Sequence, residues 1–308
     1  MAYSLGTLTA YVEQNKGGLL YASVLGGQTA KHVTIQPGIK YSEALNIISN
    51  TVYLTLGHDC TYTTSGTTTL TQREITVCEL KSDQTLCVPD LNTYWAQKEI
   101  NPGSVNPDIP FEAVYASELS DEISQWNDKI IWQGDTTSGS GNLSLCNGFK
   151  QRLTLTTDSA STVSMGTTAV TSSNIIAVVD AMVAAIPDNA LEATDLTLFC
   201  SYSFMNMYFT ALRTANLYAF PPDADSSYVM VLPTAPYIKM VATVGLTSGG
   251  LAILTPASNL YVGVDLASET ENFQILFNPY TQAVQTMVRY KLGTQIAFPQ
   301  FVVVQIVT

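Results

Sequence analysis

From Ile109 to Asp135 the chain reads IPFEAVYASELSDEISQWNDKIIWQGD, and its apolar residues recur every three or four positions. Phe111, Val114, Tyr115, Leu119, Ile123, Trp126 and Ile130 therefore share one narrow face of an amphipathic helix, predicted over 110–133. Pro110 suits the first turn, because its φ is already helical, and Gly134 suits a left-handed cap just past the end. At 1.5 Å per residue the helix is about 33 Å long, enough to form the spine of a domain. The acidic residues Glu112, Glu118, Asp121, Glu122 and Asp128 fall mostly off the apolar stripe. They predict a solvated or subunit-facing side of the helix rather than a paired acid and base.

Upstream the pattern is different. Residues 1–31 are rich in glycine and polar side chains around one apolar run, Leu19 to Leu25, and read as an N-terminal arm. His32 to Gln36 alternates as a strand does; an irregular segment then leads to Thr51–Leu56, which alternates again, as does REITVCEL at 73–80. Between them, Cys60 to Thr71 is threonine, serine and glycine with almost nothing to bury. The region 32–88 thus predicts a long projecting β-hairpin. Its tip, Tyr62, Thr63, Thr64, Ser65, Gly66 and Thr67, is too polar to order without a neighbouring chain.

Pro89 to Gln97 reads as a short helix before a proline-punctuated turn, and the residues after the spine carry loop and weak strand signals, so 89–172 forms a unit around the spine helix. A second unit, 173–255, opens with Ser173 as a helix cap before Ile175, Ile176, Val179, Met182, Val183 and Ile186. DLTLFCS then reads as a buried strand, and Phe204, Met207, Tyr208, Ala211, Leu212 and Ala215 as one face of another helix. From Tyr228 the chain is mostly strands, those in 256–308 returning to the earlier sheets. The order predicts an α+β fold rather than alternating βαβ units.

Composition narrows the function. Charged residues are 12% of the 308, about half the usual share, against 46% hydrophobic. A surface so poor in charge and so rich in threonine and tyrosine predicts extensive contact with other subunits. The net charge of −12, with no basic run, argues against gripping a phosphate backbone. The N-terminus lacks a signal-peptide pattern and no apolar run is long enough to span a membrane, so synthesis in the cytoplasm and no membrane partner are expected.

Five cysteines, Cys60, Cys78, Cys87, Cys146 and Cys200, lack zinc-site spacing and are expected as free thiols. A Cys78–Cys87 disulfide requires a turn at Lys81–Gln84, and a strand through that stretch is the better reading. His32 and His58 have no partner at relay spacing, GHDC at 57–60 alternates faces and converges poorly on a metal, and the glycine-rich stretches carry no phosphate-loop or dinucleotide signature. No catalytic residue, cofactor or metal site is predicted.

Several segments resemble the major capsid proteins of tailed bacteriophages, the group with the Hong Kong 97-like fold. The resemblance lies in QREITVCELKSDQTLCVPDLNTYWAQ, in PFEAVYASELSDEISQWNDKIIWQGDT with NGF shortly after, and in NLYVGVDL followed by MVRYKLGTQIAFPQFVV. It covers most of the chain from about Ile35 onward. It implies an extended loop at the hairpin, a peripheral domain built on the spine helix, and an axial domain in the later helices and sheet. It also implies many copies arranged as pentamers and hexamers of an icosahedral virion head around double-stranded DNA, with a portal protein and separate scaffold or decoration proteins as partners. Two departures bear on this. The hairpin Ala44–Thr76 contains no lysine, which removes the isopeptide cross-link that some members form through that loop, and only about thirty residues precede the first strand, where other members carry a long scaffolding segment. An encapsulin-like bacterial nanocompartment shell and a phage tail-tube protein are the alternatives.

Overall fold

The computed structural model describes residues 19–54, 66–87, 111–154, 163–164, 169–215, 229–246, 251–265, 272–278, 280–281 and 283–305. Its strands are β1 (Thr34–Pro37), β2 (Ser42–Val52), β3 (Gly66–Thr76), β4 (Cys78–Cys87), β5 (Val163–Ser164), β6 (Leu196–Ser201), β7 (Val229–Leu232), β8 (Ala235–Thr243), β9 (Ala252–Pro256), β10 (Leu260–Asp265), β11 (Asn272–Asn278), β12 (Ala283–Ile296) and β13 (Val303–Gln305). They form a five-stranded sheet, a six-stranded sheet and a two-stranded ribbon, and with the helices make an α+β architecture.

The five-stranded sheet is organised by β12, whose 14 residues pair with β10, β11 and β4, all antiparallel. β1 joins through a parallel pairing with β10. Alternation along β12 buries Val284, Thr286, Val288, Tyr290 and Leu292. The spine helix, Phe111–Gln133, packs there and contributes Leu119, Ile123 and Ile130 to the same core. At 23 residues it is about 35 Å long.

The six-stranded sheet has the order β5-β13-β9-β6-β8-β7. Its central strand β6 is buried along its whole length, as a continuous apolar run requires. Helices Ile175–Ala184 and Tyr202–Thr214 cover it, contributing Ile175, Val179, Met182, Phe204, Tyr208 and Leu212 to a second core. Ser201 caps the latter helix, its hydroxyl accepting from Phe204 N at 3.1 Å.

The spine helix is buried on more than the face its apolar stripe marks. Ala116, Ser120, Ser124, Asn127, Asp128, Ile131 and Trp132 are also buried. Residues 19–25 are helical and lie against this side with the turn that follows, burying Leu20, Val24, Leu25 and Ala30, so this part of the expected arm belongs to the core. Polar side chains of the spine clasp its backbone. Ser120 Oγ donates to Leu19 O at 3.4 Å, Asn127 Nδ2 to Ser23 O at 3.1 Å, and Gln28 N donates to Asp128 Oδ2 at 3.2 Å. The approach is close because Gly26 and Gly27 face the helix; a Cβ on Gly27 would run into the Asp128 carboxylate.

Trp132, fully buried, ties four parts together. Its Nε1 donates to Thr29 Oγ1 at 2.6 Å, and its ring meets Phe149 at 5.2 Å and Phe199 of β6 at 5.1 Å between centroids. Gly245, just after β8, is so near that a Cβ there would strike the Trp132 ring and the Asp128 carbonyl.

Several expectations are corrected. The stretch 42–50, read as irregular, is the first part of β2, and the polar run 66–71 is β3. A long two-stranded ribbon satisfies its own backbone without needing apolar side chains to mark it. Residues 149–154 are helical rather than extended. Asn174, not Ser173, precedes the helix at Ile175, and its Oδ1 accepts from Thr171 N. Cys78 is bonded to Cys146, with Cα atoms 5.9 Å apart, where free thiols were expected. Cys87 is free and exposed at the far end of β4, which runs as a strand through Lys81–Gln84 and so keeps Cys78 and Cys87 apart. The helix expected at Pro89–Gln97 and the histidine His58 lie outside the described residues.

Candidate intersubunit surfaces

The β2–β3 ribbon holds eleven residue pairs, from Ser42↔Thr76 at its root to Val52↔Gly66, a length of roughly 37 Å. Its root is anchored. Ile39, Ile75 and Val77 form a small core with Leu45 and Tyr261, Gln295 Nε2 donates to Glu74 O at 2.6 Å, and Val77 N donates to Tyr41 O at 3.0 Å. Gly293 of β12 lets the root sit close, since a Cβ there would meet the Thr76 carbonyl.

Away from the root the ribbon becomes exposed. Ile48 and Leu70 are direct cross-strand partners, and Val52 lies four pairs further out on the same face, past the polar pair Asn50 and Thr68, opposite Gly66, which gives it no side-chain cover. They are 62%, 75% and 72% exposed, and Leu54 beyond them is 94% exposed. Ordinary soluble surfaces scatter such residues singly; an exposed apolar pair with a third apolar side chain further along the same face makes the ribbon a candidate contact surface. Asn46 and Gln72, hydrogen-bonded to each other at 2.8 Å, flank the pair on its root side.

Of the predicted tip residues, Gly66 opens β3 and Thr67 pairs with Thr51, both exposed; Tyr62, Thr63, Thr64 and Ser65 lie outside the described residues. Of the spine residues, Leu119, Ile123 and Ile130 are buried. Tyr115 is half-buried, with its hydroxyl 3.1 Å from Thr286 Oγ1. Phe111 and Val114 lie on the helix. Trp126 differs from expectation. It is half-buried and lines a groove between the spine helix and β4 with Leu80, Ser82, Glu122, Leu145 and Tyr290, and Lys129 Nζ sits 4.4 Å above its ring.

Asp128 is the acidic residue that sequence reasoning misplaced. It is buried, and desolvation raises its pKa above the ordinary 3.8, partly offset by hydrogen bonds from Thr29 and Gln28. The phenol of Tyr290, on β12, is pushed up to about 12 by burial while its hydroxyl donates to Oδ1 of Asn127, the spine residue before Asp128, at 2.7 Å. Burial with the nearby Lys239 and Lys31 charges lowers the pKa of half-buried His32. Lys291 spends its charge locally, lying 3.8 Å from both Asp265 and Glu79 and donating to Lys40 O at 3.0 Å.

Among the described residues no group of three or more His, Cys, Asp and Glu side chains converges as a metal would require, and no helix is long and apolar enough to cross a membrane. Among the described residues, the outer half of the ribbon is the candidate site. No family model and no curated protein sequence matches the chain. Solved structures do. A chain of the procapsid of satellite phage P4, which includes a size determination protein, superposes with a TM-score of 0.63 at 12% identity, covering 99% of this chain and 91% of its own. A chain from Gordonia phage Cozz gives 0.59 at 11% identity over 91% and 86%. The virus-like particle from Pyrococcus furiosus gives 0.55 at 12% over 96% and 99%.

Proposed function

Because the chain has the Hong Kong 97-like fold of phage major capsid proteins, we propose that it is the major capsid protein of a tailed phage, assembling in many copies into an icosahedral head around double-stranded DNA. The observation that carries the reading is the anchored ribbon whose outer half shows the apolar side chains of Ile48, Leu70 and Val52 to solvent. Such a face costs free energy until another chain covers it, and a second copy is the one partner always present at the site of synthesis. In this reading the ribbon is the extended loop, the five-stranded sheet with the spine helix is the peripheral domain, and the six-stranded sheet with its two helices is the axial domain. Pentamers and hexamers, a portal protein and a separate scaffold or decoration protein complete the particle. The acidic chain confines DNA mechanically rather than by binding it.

The coverage of 99% of the Pyrococcus particle's chain supports a second reading, an encapsulin-like compartment shell. Negative-stain microscopy of the purified chain tests both, since each requires closed shells. Nuclease-resistant DNA in particles from the native source separates them. The double variant Ile48→Asn with Leu70→Asn should unfold at the wild-type temperature yet fail to form shells. Normal shells from that variant would sink the ribbon's proposed role.

A further inference from the structure

The Cys78–Cys146 bond sits where the ribbon joins the body of the fold. Only Val77 separates the end of β3 from Cys78, the first residue of β4. Cys146 belongs to the loop that follows the spine helix, a loop fastened by Gly148 N donating to Gly134 O at 2.8 Å and by Thr294 Oγ1 donating to Asn147 O at 2.7 Å. One covalent link thus joins the root of the exposed ribbon to the end of the spine across 68 residues of sequence.

The surroundings suit both redox states. Cys146 is buried, and its Sγ lies 3.3 Å from the carbonyl oxygen of Leu292, the β12 residue that pairs with Cys78. When the bond is open, the Cys146 thiol has an acceptor in place, so reduction leaves no buried donor without a partner. The ten-pair ladder between β4 and β12 holds the strand in either state. Cys78 is half-buried whereas Cys146 is buried, so Cys78 is the more accessible residue of the pair.

We infer that Cys78 and Cys146 form a redox modification site that takes small-molecule disulfides and covalently locks the ribbon to the spine. The exchange balances in two steps. The Cys78 thiolate attacks one sulfur of an external disulfide such as oxidised glutathione, forming a mixed disulfide and expelling one glutathione thiolate. The Cys146 thiol then loses its proton to solvent, attacks Cys78 Sγ and expels the second thiolate. Two cysteines are oxidised by two electrons and one glutathione disulfide is reduced to two thiols. Cytoplasmic synthesis keeps the site reduced, with the ribbon's root held by its small core and hydrogen bonds alone as copies meet, and oxidation outside the cell adds the covalent link to the geometry reached. That last clause rests on the shell reading; the exchange itself does not.

The experiment treats the full chain with excess dithiothreitol, removes it, and adds oxidised glutathione. In a Cys60→Ser, Cys87→Ser background, which removes the exposed free thiol Cys87, intact mass should fall by about 2 Da with no glutathione adduct retained, and non-reducing peptide mapping should join the peptides holding Cys78 and Cys146. The oxidised chain should melt several degrees above the reduced one, whereas Cys146→Ser, whose hydroxyl still reaches Leu292 O, should fold and melt alike with and without reductant. Oxidised shells should also release subunits in guanidinium roughly tenfold more slowly than reduced shells. Two unchanged thiols at Cys78 and Cys146 after oxidation, a stable glutathione adduct on either of them, or equal melting of the two forms would each overturn the site. If the soluble chain oxidises and stiffens as described but makes no shells, the site stands and the shell reading falls.

Discussion

Replacing Trp132 by alanine tests the junction on which the fold depends. The indole is fully buried and packs against Phe149 and Phe199, while its N–H donates to Thr29. A buried tryptophan removes 150–250 Å² or so from water, at about 25 cal/mol per Å². Alanine recovers part of that and collapse of the site recovers more, which leaves a loss of about 4 kcal/mol, inside the usual range for this substitution. Thr29 loses a donor but keeps its link to Asp128. An unfolding entropy near 2.1 cal/mol/K per residue over 308 residues makes 4 kcal/mol worth roughly 6 °C. Trp132→Phe keeps an apolar ring there and should cost about 2 kcal/mol. Far-ultraviolet circular dichroism on unassembled subunit is the suitable probe, because the substitution removes a fluorophore. A loss below about 1 kcal/mol for the alanine variant, within the range of ordinary surface changes, would refute the idea that one side chain couples the N-terminal segment, the spine and the six-stranded sheet.

Ile123→Asp buries an unpaired carboxylate between spine and β12 and should cost several kcal/mol, enough to prevent soluble expression; normal yield would refute the packing. Gly245→Ala drives a methyl into Trp132 and should lower the melting temperature by the equivalent of about 1–3 kcal/mol, read in the same dichroism melt. Ser201→Ala removes a helix cap and should cost about 1 kcal/mol by denaturant titration. Asp128 has a folded pKa raised above its unfolded value, so its contribution to stability is full below pH about 4 and is lost as pH rises through the folded pKa. Asp128→Asn should flatten that part of the melting profile, and an unchanged slope between pH 4 and neutrality would refute the assignment.

Legibility in the sequence followed chemistry. Leu119, Ile123 and Ile130 stood out because large apolar side chains repeat at helical spacing, and the strands after Tyr228 because they are long and bounded by turn residues. The second buried face of the spine was hidden because Ser120, Ser124, Asn127 and Asp128 look like solvent-facing residues. They are buried only because residues 19–29 supply hydrogen-bonding groups matched to them and Gly26 and Gly27 let that segment approach, facts of tertiary geometry with no local signature. The Cys78–Cys146 pair was unreadable for a related reason, since it depends on a loop and a strand meeting across 68 residues. The ribbon's root was missed where β2 begins, because Ser42–Asn50 mixes polar and apolar residues on both faces of a strand supported on one edge only.

The sheet pairings also set a clock on the ribosome. β1, at 34–37, lies beside β10 at 260–265, and β4, at 78–87, must wait for β12 at 283–292. At about 5–20 residues per second those partners emerge roughly ten to fifty seconds after the strands they complete. Contacts so distant in sequence also close slowly once available. Until then the ribbon has no finished platform beneath it, because Gly293 and Gln295, against which its root is seated, belong to β12 and are made long after β3. A nascent chain on a polysome, crowded by identical neighbours, therefore holds its exposed ribbon on an incomplete base until β12 has left the ribosome.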